Sequence, residues 1–242
     1  MYNSTDANPI NQTAQTFFGF DNVTDIRFSF DYGLTENMTV GIGRSKLNKQ
    51  LDGSYKWKIL KQTSDFAVPV TITFFGDVGY NFSPTSVLYA GVVKDFNTNE
   101  LHRFNYISQF IIASKINKNF SFELLPTYVY RNFIVQRINT NNNAQDVNGY
   151  FSLGAGARIK LTKRMSLIAD YFFNFAKFYQ KNDQVKMPLS LGVEIETGGH
   201  VFSLFFTNAS GLIENNFLSY TSDSWAKGQV KFGFCISRTF AL

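Results

Sequence analysis

The chain has 242 residues, of which 44% are hydrophobic, 17% aromatic and 17% charged, the last below the usual share of about 25%. The 27 Phe and 12 Tyr exclude a disordered chain, because these side chains must be buried or face an apolar medium, and the single cysteine excludes an intrachain disulfide framework. The net charge of +5 comes from scattered lysines and arginines without a basic run, so we expect no nucleic-acid partner.

Alternation of apolar and polar residues is the dominant pattern along the chain, and it predicts β-strands throughout. Five of the predicted strands have nine to thirteen residues, which reaches the length that a tilted strand needs to cross a bilayer. No stretch of about 18 apolar residues predicts a transmembrane helix. The eleven predicted strands cover residues 26–32, 38–42, 55–59, 70–80, 103–115, 120–131, 151–161, 167–175, 189–196, 202–207 and 230–237.

The two faces of these strands differ in composition. One face is Phe, Tyr, Leu, Ile, Val and Ala, and the other is Gly, Ser, Thr and charged residues. In a transmembrane barrel the first face meets lipid and the second lines the interior. The charged residues expected to line the lumen are Arg27, Asp31, Lys56, Lys58, Asp77, Glu123, Arg131, Arg158, Lys160, Asp170, Glu194, Glu196 and Lys231. Seven cations against six carboxylates favour a salt-bridged interior, since unpaired buried charges are costly.

The predicted connections alternate between short and long. The short ones cover residues 33–37, 62–67, 117–119, 162–164 and 198–200, and the long ones cover residues 46–54, 81–102, 136–148, 178–187 and 208–228. Barrels of the bacterial outer membrane have short periplasmic turns and longer outside loops. The alternation therefore predicts a barrel of this type, with the long connections on the outside.

The parity of the strands suggests that the barrel is one strand short. The first predicted strand runs into a short turn, and the polar segment 1–22 before it resembles an outside loop. Closed bacterial barrels have an even number of strands. We therefore expect an antiparallel up-and-down barrel of twelve strands when complete, with an N-terminal strand and an export signal absent from this chain.

The long connections 81–102 and 208–228 each contain apolar residues, among them Leu88, Leu218 and Trp225. Such a loop can fold inward as a plug, extend the strands above the membrane or bind a protein partner. We expect strand extension for both loops. A second irregularity is Pro126, which cannot donate to a ladder inside the sixth strand and predicts a bulge or kink there.

Few residues of the sequence are candidates for catalysis or metal binding. His102 and His200 are the only histidines, and with one cysteine they form no zinc pattern, so we expect no metal or cofactor. A hydrolase triad would have to combine His102 with Ser108 or Asp95. A polar loop histidine is the simpler interpretation, and we expect no catalytic residues.

Several segments resemble a known family. The most specific is Ile195-Glu196-Thr197-Gly198-Gly199-His200-Val201-Phe202, and others are Asp31 to Asn37, Gly154 to Arg158 and Trp225 to Gly228. Together they resemble a Bacteroidota outer-membrane β-barrel family of unknown function over about residues 17–240. The resemblance implies the fold and an export signal ahead of the barrel, and it brings no activity, ligand or catalytic residue.

The sequence thus predicts one β-barrel domain over residues 1–242, with a polar N-terminal loop over 1–22 and barrel strands over 23–240. We expect a non-enzymatic protein of the bacterial outer membrane, surrounded by outer-membrane lipid, that acts as a narrow pore or as a structural or docking component. An outer-membrane lipid-modifying enzyme of the lipase or acyltransferase type is the second hypothesis. A soluble ligand-binding barrel is the third.

Overall fold

The computed structural model describes residues 25–83 and 99–240, so the predicted N-terminal loop over 1–22 and most of the connection 81–102 lie outside the described residues. Within these residues eleven strands follow one another, together with one short α-helix, α1, Glu214–Tyr220. The strands are β1 Arg27–Gly33, β2 Met38–Ser45, β3 Gln50–Leu60, β4 Thr71–Asn81, β5 Phe104–Lys115, β6 Phe120–Arg131, β7 Gly149–Lys160, β8 Met165–Asn174, β9 Leu189–Glu196, β10 His200–Thr207 and β11 Lys231–Arg238.

The strands form one antiparallel sheet in which every strand pairs with its neighbours in sequence. This is the up-and-down order, and the predicted all-β fold with eleven strands is confirmed. Within residues 25–83 and 99–240, no ladder joins β1 to β11, so the described sheet is not closed. No helix in this part of the chain is long and apolar enough to cross a membrane.

The apolar face of the sheet is turned outward, as the sequence predicts. Phe28, Phe30, Phe151 and Phe234 are each between 64% and 76% exposed. Phenylalanines at this exposure would be strongly unfavourable in water, whereas hydrocarbon chains solvate them. The opposite face is here called the inner face. Asp31, Gly41, Ser54 and Asp77, which pair with one another in successive ladders, lie on this face, and so does every second residue along each strand.

The strict alternation of short and long connections is wrong at two places. Strand β3 begins at Gln50, so the connection between β2 and β3 has only residues 46–49, whereas residues 61–70 separate β3 from β4. The segment Asp52-Gly53-Ser54 looks like a turn by composition but lies inside β3. The reason is that Asp52 faces inward and pairs with Arg27, which holds this segment extended. The four later long connections all lie at the same end of the sheet, the long-loop end, and the short turns lie at the other, the short-turn end.

Pro126 interrupts a ladder without changing its register. Strand β6 pairs with β5 at Thr127–Gln109 and again at Leu124–Ile112, and the two residue pairs between them are missing. These pairs are three positions apart on each strand, so no residue is inserted and the predicted bulge is absent between β5 and β6. The ring nitrogen of proline has no hydrogen to donate, which accounts for the gap.

Candidate functional site

The register of the sheet places the thirteen predicted lumen charges on the inner face. Residues directly opposite each other in a ladder point to the same side, and residues two apart along a strand do as well. Following the ladders from β1 to β11 connects Asp31 with Asp77, then with Arg131, Arg158 and Asp170, and finally with Lys231. The inner face is therefore where any pathway or ligand site of this protein would be built.

Many of the inner charges are paired. Arg27 donates two hydrogen bonds to the carboxylate of Asp52, at 2.6 and 2.7 Å. Arg158 contacts Glu194 and Glu196, each at 2.6–2.7 Å, and it joins β7 to β9 across β8. Lys56 lies 3.4 Å from Asp31. Two further pairs join a strand to a connection: Lys231 with Asp223, and Arg131 with Asp146 at 2.9 Å.

Three inner carboxylates lack such partners. Among the described residues no ion pair involves Asp77, Glu123 or Asp170. Two inner cations also have no ion pair among the described residues, and both lie at the short-turn end: Lys58 donates to the backbone carbonyl of Glu36, and Lys160 is the last residue of β7. The uncompensated charge on the wall between the two ends is therefore negative.

Inner glycines make space for side chains of neighbouring strands. A Cβ atom at Gly43 would lie 2.2 Å from Nη2 of Arg27 and 2.6 Å from Oδ2 of Asp52. At Gly156 it would lie 2.6 Å from Oε1 of Glu123. Asp31 occupies the corresponding place over Gly41. These glycines therefore allow charged side chains to lie flat against the wall.

Sequence reasoning missed three charged residues of the interior. Asp52 was assigned to a loop, and neither Asp146 nor Arg137 was singled out. Asp146 is 1% exposed at its side chain and accepts hydrogen bonds from Arg131 and from Arg137, the latter at 2.6 Å. No local pattern predicts this pairing, because Asp146 lies in the connection between β6 and β7. The one available indication in the sequence is that Arg131 is expected to face inward without a predicted partner.

The connection between β10 and β11 turns into the interior. Residues 208–230, here called the plug loop, contain α1, and Leu218 of this helix is fully buried. The side-chain amide of Asn174 on β8 donates to the carbonyl of Leu218 at 2.9 Å, and the Tyr150 hydroxyl on β7 lies 2.9 Å from that of Ser219. The prediction of strand extension is wrong for this loop, since burial of its apolar side chains outweighs a longer hairpin.

The plug loop also reaches other connections at the long-loop end. The side chain of Asn48, between β2 and β3, donates to Asn216 at 2.8 Å. The backbone amide of Lys186, between β8 and β9, donates to the carbonyl of Thr221 at 2.7 Å, and Arg137 donates to the carbonyl of Ser219. These contacts fix the plug loop on several sides of the interior.

An apolar core lies beneath the plug loop. Its members are inner-face residues of β4 to β8 and residues of the long connections, namely Phe75, Ile107, Leu125, Val129, Tyr150, Phe172, Phe178, Tyr179, Val185 and Leu218. The sequence predicted an inner face of small and polar residues, and this part of the prediction is wrong. Apolar residues of the inner phase such as Val129 and Phe172 do not stand out in the alternation, because their neighbours along the chain are aromatic and give no contrast.

Two cavities remain between the plug loop and the wall. The first has a volume of about 260 Å³ and lies against β8, β9 and β10, with Asp170 and Ser190 on the wall and Phe217 on the plug loop. The second, of about 240 Å³, lies against β1, β3, β4 and β5 and is closed on one side by Ile213 and Glu214. Burial raises the pKa of the Glu214 carboxyl above its ordinary value.

The two histidines do not assemble a hydrolase triad with the predicted partners. His102 precedes β5 at the long-loop end and stacks near Phe133, whereas Ser108 lies four residues into β5, about 13 Å along the strand from Phe104. His200 begins β10 at the short-turn end. Asp95 lies outside the described residues.

Comparison with known proteins agrees with this architecture. A family model described as a membrane-bound beta-barrel domain (DUF5777) matches residues 8–240. Curated proteins give no match to the sequence.

Solved structures that match this chain include two porins and LpxR. The NanC porin has a TM-score of 0.57 at 5% identity, over 89% of this chain and 93% of that chain. The KdgM porin has a TM-score of 0.48 at 7% identity, over 77% and 84% of the two chains. LpxR from Salmonella typhimurium has a TM-score of 0.40 at 10% identity, over 95% of each chain. The likeness to the NanC porin shows that the fold is that of a porin-type barrel.

Proposed function

The chain belongs to the family of membrane-bound β-barrel domains, and from this premise we propose that it is a non-enzymatic barrel of a bacterial outer membrane that acts as a narrow pore, closed at its long-loop end by its own plug loop. The segments that resemble a Bacteroidota family support a source in that group. The soluble ligand-binding barrel is wrong, because the family is membrane-bound. The exposed phenylalanines of the outer face support contact with lipid acyl chains.

The observation that carries the proposal is the contrast between the two ends of the interior. At the long-loop end, Leu218 and Tyr179 are almost fully buried. Toward the short-turn end the wall is polar, and Arg158, Glu194 and Glu196 stay partly exposed. A barrel that served only as a scaffold could fill both ends equally, whereas a polar wall beneath a folded-in loop is typical of a gated pore.

The uncompensated carboxylates give the proposed pore a sign. Asp77, Glu123 and Asp170 line the inner face without ion-pair partners among the described residues, whereas Arg27, Arg131 and Arg158 are each paired. Fixed negative charge in a narrow passage attracts cations and repels anions. We therefore expect the open pore to favour cations.

Planar-bilayer recording of the purified protein tests the proposal. One variant replaces residues 211–227 with a short Gly-Ser linker, and the control replaces residues 62–69, at the other end of the barrel, with a similar linker. We expect small or rare openings for the native chain and the control, and a several-fold larger, cation-selective conductance for the variant without the plug loop. Heat-modifiable gel mobility verifies that each protein is folded.

The other outcomes of these experiments distinguish the pore from the alternative functions. Folded protein that does not conduct even without the plug loop would reject the pore and favour a structural or docking role, in which the connection 81–102 or the loop 208–228 would contact a protein partner. Lipid hydrolysis that is lost on replacing His102 or His200 with alanine would favour the lipid-modifying enzyme instead.

A further inference from the structure

The cavity of about 240 Å³ beside α1 carries more negative than positive charge. The charged groups that face it are Arg27, Asp31, Lys56, Asp77 and Glu214, with Asp52 beside Arg27. Arg27 is held by Asp52 through two hydrogen bonds, and Lys56 is held by Asp31. Asp77 and Glu214 are left over, one on the wall and one on the plug loop.

Of these two carboxylates, Asp77 gives the stronger indication of a ligand. It is 8% exposed, it lines the cavity, and within the described part of the chain it has no hydrogen bond and no ion pair. Burying a carboxylate without a partner is expensive, and proteins meet this cost with a counter-charge or a proton. Glu214 faces the same cavity from the plug loop, so one positively charged ligand can contact both groups.

Part of the lining of this cavity is apolar. Phe75 and Ile111 on the inner face and Ile213 on the plug loop line the cavity together with the charged groups. The Phe75 ring already has an ammonium group near it, because Nζ of Lys56 lies 6.0 Å from its centroid. Such a site fits a chain of methylene groups with a positive charge at each end.

The residues suit an organic cation better than a metal ion. Within residues 25–83 and 99–240, no group of three or more His, Cys, Asp and Glu side chains is placed to hold a metal. Divalent metals bind through several oxygen ligands in a fixed geometry. Ammonium groups instead need a few oriented acceptors, which the two carboxylates that line this cavity provide.

We propose that this cavity binds a small organic dication, an alkyl diamine, with one ammonium group on Asp77 and the other on Glu214. The bound ligand joins strand β4 to helix α1 and so fastens the plug loop to the wall. The inference goes beyond the proposed pore, since binding depends on the inward position of Glu214 and not on conduction.

Titration calorimetry on the full chain in detergent tests the site, with 1,4-diaminobutane as the probe. We expect one binding site per chain. Asp77→Asn and Glu214→Gln should each weaken binding by at least about tenfold, because each removes one charged hydrogen-bond acceptor. The control is Asp183→Asn, an exposed carboxylate outside the cavity, which should bind as the native chain does. Butylamine, with one ammonium group, should bind more weakly than the diamine.

Several results would overturn the proposal. These are no binding of the diamine to folded native protein, binding by both cavity variants as tight as that of the native chain, or tighter binding of Mg²⁺ than of the diamine, which would make the site inorganic. The unfolding temperature provides a second measurement should one variant fold poorly: the diamine should raise it for the native chain and for Asp183→Asn, and not for the remaining cavity variant. Failure of this test would leave the conductance of the plug-loop variant unaffected, so the two proposals are separable.

Discussion

The two sides of the interior accommodate their inward-facing side chains in different ways. On the side of β6 to β8, the inner face packs against the plug loop and the long connections, and Val129 and Leu218 are fully buried. On the side of β1 to β3, the inner face keeps ion pairs that water reaches, such as Lys56 with Asp31 at 40% and 48% side-chain exposure. The outer faces of both sides are alike. The comparison teaches that strand alternation determines the outer face, whereas the connections determine what the inner face becomes.

The largest expected effect lies in the buried ion pairs of the packed side. Asp146→Ala leaves Arg131, with a side chain 3% exposed, without its carboxylate, and Arg137 loses the same partner. Removing one member of a buried pair costs about 3–5 kcal/mol. We expect a loss of this size in the free energy of unfolding, measured by denaturant titration in detergent.

The matched control for this prediction is on the open side. Asp31→Ala breaks the half-exposed pair with Lys56, and exposed pairs contribute only about 0–1 kcal/mol. If the two variants lose equal stability, the contrast between a packed and an open side is wrong.

The apolar contacts of the plug loop give the next effect. Leu218→Ala removes a fully buried side chain from the core beneath the plug loop and should cost about 2–5 kcal/mol. Leu212, in the same loop but 41% exposed, provides the comparison, and Leu212→Ala should cost much less. Unfolding midpoints of the two variants measure the difference. A plug loop that is only loosely seated would make the two values similar.

The glycines of the open side give a smaller effect. Gly43→Ala brings a Cβ within 2.2 Å of Nη2 of Arg27 and within 2.6 Å of Oδ2 of Asp52, so that the ion pair must shift. Crowding of this kind costs about 1–3 kcal/mol. Gly53→Ala, at the neighbouring outward position opposite Ile42, meets no atom within 4 Å and should be close to neutral. The unfolding free energies of the two alanine variants, compared under one condition, check this, and equal losses would show that backbone freedom matters more than the space over Gly43.

The same contrast explains what the sequence could predict. Eleven strands and an outward apolar face follow from alternation, because each strand carries that signal in its own residues. The pairing of Arg131 with Asp146 and the burial of Leu218 depend on where long connections return, which no local pattern encodes. Asp52 was missed for another reason: the Asp-Gly-Ser composition of a turn is overruled by a tertiary ion pair with Arg27.

The smallest effect is a pH dependence at the rim of the packed side. The side-chain amide of Asn141 donates to Asp183 at 3.0 Å, and this hydrogen bond, together with Lys186, holds the pKa of the Asp183 carboxyl below its usual range. A depressed folded-state pKa stabilises the fold above the unfolded pKa of about 3.9 and loses that contribution as the pH falls through the folded value. Asp183→Asn should therefore be slightly less stable than the native chain at pH 7, and the difference should be smaller at pH 3. Denaturant midpoints at the two pH values measure it, and Asn141→Ala should reproduce part of the effect; a difference that grows toward acid would contradict the assignment.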